Sequence, residues 1–136
     1  MASRKRLTLD ERMAVYQKFG GHCAYCGIEI RFEEMQCDHV VPLEGWSERG
    51  ADSLENMFPA CKSCNHYKRA NSLEGWRKVL ESMPHTLNRD SYTYRQAVRF
   101  GLVKPTPKSV VFYFEKMDTH CSVMNSTSIV NKKQKL

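Results

Sequence analysis

Cysteine spacing constrains this chain more than any other feature. Cys23-Ala-Tyr-Cys26 and Cys61-Lys-Ser-Cys64 are two Cys-x-x-Cys knuckles, and that spacing lets both sulfurs of a pair reach one tetrahedral ion at about 2.3 Å. If both pairs grip the same ion, two segments distant in sequence are pinned together and the stretch between them is a structured insertion. Structural Zn²⁺ is the favoured reading, with redox-active dithiols or chance pairs as the alternatives. The opening Met-Ala-Ser-Arg-Lys-Arg is basic and passes into an amphipathic, acidic segment without the apolar region of a secretory signal. A cytoplasmic, reducing location is therefore expected, in which the six cysteines are not a disulfide framework. Cys37 and Cys121 remain over, read as a buried strand thiol and a solvent-exposed one.

Charge narrows the class of partner. A net charge of +6 and a pI near 9.1 favour a polyanion, nucleic acid first, because each neutralised phosphate releases condensed counterion. No apolar run approaches the length of a membrane-spanning helix, so no membrane partner is expected. The 136 residues suit one domain with an appendage. Residues 1–7 read as a basic arm, 8–83 as the core with flanking helices, 84–116 as a helix-and-strand extension, and 117–136 as a disordered tail.

Local signals assign most elements. Thr8-Leu-Asp-Glu11 is a capping-box pattern opening a helix with Met13, Val15, Tyr16 and Phe19 on its apolar side, and Gly20-Gly21 stops it. Ile28 to Phe32 alternates like a half-buried strand, and Met35 to Val41 is its expected antiparallel partner, ending at Pro42. Asp52 or Ser53 caps a short helical turn ending near Asn56. A two-turn helix from Lys62 or Asn65 to Ala70 is expected next. Asn71-Ser72 caps the next helix, and Leu73, Trp76, Val79, Leu80 and Met83 line one face of it from Ser72 to Met83. Pro84 and Asn88-Arg89-Asp90 read as a connection to a helix from Ser91 to Phe100, closed by Gly101. Ser109 to Glu115 alternates as a strand.

Between Cys37 and Arg69 the chain crowds together an acid, an imidazole, a carboxamide and a basic helix start. The order Cys-x-x-Cys, Asp-His-Val-Val-Pro-Leu, Asp-Ser-Leu-Glu-Asn, Cys-x-x-Cys-Asn-x-x-Lys resembles the zinc-containing HNH endonucleases, over about residues 20 to 70. The resemblance implies an α+β fold with a ββα-metal (His-Me finger) core, in which a hairpin and a helix grip a divalent ion, a four-cysteine structural zinc holds the two ends together, and helices flank the whole.

The same resemblance assigns roles residue by residue. His39 matches the general base that activates water, Asp38 the position binding the catalytic ion, and Asn56 the asparagine that braces the loop and orients the histidine. Asn65 matches the third letter of the family name as an asparagine variant, and its carboxamide oxygen can still bind a hard ion. His66 replaces it as ligand if the helix register differs by one. Oxygen donors favour Mg²⁺ or Mn²⁺ in that site, and Cys23, Cys26, Cys61 and Cys64 hold the zinc. Adjacent strand residues point to opposite faces, so Asp38 and His39 can share a site only where the strand is distorted or ending. Lys62, His66, Lys68 and Arg69 are expected to contact nucleic acid, with a solvated helix face as the alternative for the three cations. The implied activity is metal-dependent hydrolysis of DNA, duplex first. A non-catalytic zinc module that binds nucleic acid, and an RNase or toxin on the same fold, are the competing readings.

Overall fold

The computed structural model describes residues 6–118, so most of the basic arm, nearly all of the tail, and Cys121 lie outside the described residues. The fold is α+β, a two-stranded antiparallel sheet with helices around it, as expected. Among the described residues no helix is long and apolar enough to cross a membrane.

Helix starts follow the sequence closely. Helix α1 (Leu9–Gln17) opens on the Thr8 capping box: the Glu11 amide donates to the Thr8 hydroxyl, and the Thr8 amide to the Glu11 carboxylate. Gly20 and Gly21 then take positive φ, 59° and 83°, and lead the chain into the first knuckle. Ile28 to Phe32 does not pair with Met35 to Val41, contrary to the expected hairpin. The knuckle reverses so tightly that residues 28–30 return onto 21–23: the Cys23 amide donates to the Ile28 carbonyl and the Ile30 amide to the Gly21 carbonyl, with one isolated bridge, His22 to Glu29. Phe32–Glu34 is a single 3-10 turn.

The real sheet pairs β1 (Gln36–His39) with β2 (Met57–Ala60), in register Gln36 to Ala60 and His39 to Met57. No strand was expected in β2, whose four residues are too few to show a period and include a proline. Pro59 is tolerated because each strand of a two-stranded sheet is an edge. Its carbonyl accepts from the Ala24 amide at 2.8 Å, docking the first knuckle onto the sheet. A 3-10 turn at Leu54–Asn56 precedes β2, begun from Ser53 without a side-chain cap.

Helix α2 (Lys62–Lys68) starts from Cys61, whose sulfur accepts from the Cys64 amide. Helix α3 (Leu73–Asp90) is capped by Ser72 as its sequence suggests, but it runs straight through Pro84. The expected division at 83/84 thus falls inside one helix. A proline in a helix interior forfeits a hydrogen bond; here Leu80, Met83 and Leu87 continue the apolar face across it, and all three line one hollow with Trp76. Helix α4 (Tyr92–Arg99) packs back on α3. Arg95 donates to the carbonyls of Asn88 and Arg89, satisfying the end of α3, and Gly101 closes α4 at φ 73°.

The C-terminal segment is not a strand. Residues 113–118 are helical, and the Tyr113 and Phe114 amides donate to the Tyr25 and Ala24 carbonyls of the first knuckle. Phe112 is buried against Trp76, stacked at 5.1 Å between centroids, and Tyr25 meets Trp76 edge-on at the same distance. Three aromatics thereby join α3, the C-terminal segment and the first knuckle, and they set the position of the Tyr25 side chain.

Candidate active site and metal centre

All four knuckle sulfurs converge, lying within 4.8 Å of one another, with 3.9 Å between those of Cys26 and Cys61. Four bonds of about 2.3 Å to one tetrahedral ion require sulfurs about 3.8 Å apart. The set therefore fits a metal such as Zn²⁺. Two separate dithiols would not bring sulfurs of different pairs to one point. The electrostatics point the same way. A hydrogen bond with Cys64 draws the Cys23 thiol down to about 4, while the same bond and burial push Cys64 up, and burial pushes Cys26 up. One thiolate forms easily at Cys23, while those of Cys26 and Cys64 are favoured by a cation beside them.

The strand β1 ends at His39, which resolves the problem of two adjacent residues serving one site. Asp38, His39, Asn65 and Arg69 all line one cleft of about 440 Å³ between β1, the following loop and α2. Asp38 is buried; its Oδ2 accepts from the Tyr25 hydroxyl and lies 3.1 Å from the Lys68 ammonium. Burial pushes its carboxyl above the usual range, although Lys68 and Tyr25 pull the other way. A buried carboxylate of this kind is suited to a further cation, and the Tyr25 and Lys68 contacts both fall on Oδ2. Asn65 lines the same cleft, and a carboxylate with a neutral amide oxygen is the type of donor set that fits a hard divalent ion. Lys62 and His66 line a neighbouring depression on the outer side of α2, which shares only Gln36 and Asn65 with the cleft. His66 is exposed and meets Tyr67 edge-on.

Asn56 ties the loop after β1. Its Oδ1 accepts from the Val41 amide at 2.9 Å, and its Nδ2 donates to the Val41 and Ala51 carbonyls at 2.8 Å. Gly50 lies against this brace: a Cβ there would strike the Val41 carbonyl and stand 2.6 Å from Asn56 Nδ2.

Residues 23–71 match the family model described as HNH endonuclease. This segment is an HNH domain. A CRISPR-associated endonuclease Cas9 of Corynebacterium diphtheriae is 34% identical over 62 residues, covering 46% of this chain and 6% of that protein. An SPbeta prophage-derived protein of Bacillus subtilis named as an HNH endonuclease, YoqL, is 32% identical over 69 residues, covering 43% of this chain and 27% of its own length. The chain thus spans a small part of either relative. Among solved structures, the Type II-C Cas9 enzyme from Actinomyces naeslundii is similar at 26% identity, with a TM-score of 0.44 over 50% of this chain and 8% of that one.

Lys68 stands elsewhere in the HNH domain than its sequence context led us to expect. It is not a surface cation for phosphate: its side chain is 0% exposed, and its ammonium bonds the Asp38 carboxylate and, at 3.0 Å, the His39 carbonyl. The reason is geometric. Lys68 ends α2 on the side facing β1, where the buried Asp38 needs a partner. Lys68→Ala should therefore cost about 3–5 kcal/mol of stability in urea denaturation, since it strands a buried carboxylate; a loss below about 1 kcal/mol, the range of surface pairs, would contradict this placement. Arg69, by contrast, is exposed at the cleft, held at φ 53°, a conformation costly for a residue with a side chain.

Two side chains with direct contacts in the HNH domain went unnoticed in the sequence. Tyr25 sits between the cysteines of a knuckle, where only its tertiary neighbours reveal a link to Asp38. Asp52 was read as a helix cap, yet its Oδ1 lies 2.9 Å from His39 Nε2. The one available signal was its position in Asp-Ser-Leu-Glu-Asn, four residues before Asn56.

Proposed function

We propose that the protein is a metal-dependent endonuclease that hydrolyses phosphodiester bonds in DNA, working in the bacterial cytoplasm. The observation that carries this reading is the convergence of Asp38, His39 and Asn65 on one cleft at the end of β1. Asp38 and Asn65 would hold Mg²⁺ or Mn²⁺, which when bound stabilises charge on the phosphoryl and leaving oxygens. His39 takes a proton from water as the water oxygen attacks phosphorus. The bond from phosphorus to the 3′-oxygen then breaks, and the departing oxygen takes a proton from solvent, leaving 5′-phosphate and 3′-hydroxyl ends. Asn56 keeps the loop after His39 in place, and exposed Arg69, Lys62 and His66 favour the phosphate backbone on the flank of α2. The ion held by the four cysteines takes no part in the chemistry; it fixes the first knuckle against α2.

Incubation of the native chain with supercoiled plasmid and Mg²⁺ or Mn²⁺, beside an RNA of similar length, tests the reading. Nicked or linear plasmid that disappears with chelator is the expected result. Cleavage of RNA alone would assign a ribonuclease instead, and binding of both without cleavage would leave a zinc module that holds nucleic acid.

A further inference from the structure

We infer that Asp52 is a positioning residue for His39, holding the imidazole in the tautomer protonated on Nε2 and so placing the free lone pair on Nδ1. A carboxylate offers only acceptors, so the ring nitrogen 2.9 Å from Asp52 Oδ1 is the one that carries hydrogen. In a neutral imidazole the other nitrogen is then the base. This role rests on the nuclease reading above, whereas the tautomer itself does not.

Both ends of the contact are built to hold still. The His39 carbonyl is fixed by the buried Lys68 ammonium at 3.0 Å. On the other side, the residue before Asp52 is tied down: Asn56 Nδ2 donates to the Ala51 carbonyl at 2.8 Å, and the Gly50 amide to the Pro42 carbonyl at the same distance. Asp52 has no capping duty to compete for its oxygens, since Ser53 starts the 3-10 turn and no side chain caps it. The His39 side chain is 14% exposed and that of Asp52 is 41% exposed, so the pair closes off one edge of the ring, with the carboxylate on the solvent side. Asn56 thereby acts on His39 through Asp52 as well as through the loop.

The full zinc-loaded chain, labelled with ¹⁵N-histidine, gives a direct test by long-range ¹H–¹⁵N spectra near pH 8.5, where an ordinary imidazole is neutral. The His39 signals are those lost in His39→Gln. Native protein should show Nε2 protonated and Nδ1 not. Asp52→Asn, which keeps the shape but can present either NH₂ or oxygen to the ring, should give a mixture, and Asp52→Glu should restore much of the native pattern. On plasmid, Asp52→Asn should lower kcat by about 10- to 10⁴-fold, between the loss on removing the partner of a metal-bound histidine and that on changing the aspartate behind a general-base histidine to asparagine, with KM nearly unchanged and melting temperature and zinc content native. An unaltered His39 spectrum in Asp52→Asn, or an unaltered kcat in a native chain that cuts, would overturn the inference. Should the native chain cut nothing while its tautomer still depends on Asp52, the nuclease reading and the catalytic role fall together, and only the hydrogen-bonded lock stands.

Discussion

His39→Ala is expected to reduce Mg²⁺-dependent plasmid nicking by roughly 10²- to 10⁴-fold, the range for removing a general base, while leaving the melting temperature and zinc content close to native. The two halves of this result have separate causes. The imidazole lies at the rim of the cleft, outside the packed core of Val15, Met35, Met57 and Trp76, and the side-chain bond it loses is the one to Asp52. Such a hydrogen bond is worth about 1 kcal/mol net. The stabilising contact of His39 with Lys68 uses the main-chain carbonyl, which alanine retains. Conversion of supercoiled to open-circular plasmid, followed on gels beside thermal melts of both proteins, checks both halves. Equal nicking by the two proteins would remove His39 from the chemistry, and loss of nicking together with a collapsed melt would show that the residue is structural.

Cys61→Ser should have the largest effect on the fold. Structural Zn²⁺ contributes about 10–16 kcal/mol where it has been measured in small fingers, whereas 136 residues at the usual margin are stable by only about 7–20 kcal/mol. Losing the ion thus removes most or all of that margin. The loss is specific to the ion: Cys61 joins the end of β2 to the start of α2 with its sulfur accepting from the Cys64 amide, and a serine hydroxyl can still accept that bond. The damage would also reach the cleft: the first knuckle carries Tyr25, whose hydroxyl donates to Asp38, and α2 carries Lys68. Zinc measured in the purified variant should fall well below one ion per chain, and its far-ultraviolet melt should lose cooperativity. A variant that keeps one equivalent of zinc and melts like the native chain would end the assignment of a four-cysteine metal centre.

Short-range signals translated well into structure. Thr8 with Glu11, Ser72 before Leu73, and Gly101 after α4 each depend on neighbours within one turn, and each was found as expected. The strand partners were not legible. Ile28 to Phe32 alternates as a strand should, but the knuckle returns it to Gly21–Cys23 before it can meet β1. Met57–Ala60 then fills the vacant edge of β1, burying Met57, Pro59 and Ala60. Ser109 to Glu115 failed for a related reason: Phe112 packs on Trp76, and the Tyr113 and Phe114 amides bond the first knuckle instead of a strand. Pro84 misled because a breaker rule weighs one lost hydrogen bond and does not see the apolar face continuing past it.

At the candidate site the same division holds. The identities of the cysteines, of Asp38, His39, Asn56 and Asn65, and the order in which they occur, are written in the chain itself, because ligand chemistry depends on residue type and the knuckle spacing depends on local reach. Which of the basic residues is buried, which oxygen of Asp38 is taken, and that Asp52 stands behind His39 were settled only by folding. Those are contacts between residues that are remote in sequence, such as Lys68 to Asp38 or Tyr25 to Asp38, and their cost or gain depends on how much water the packed chain leaves around each charge.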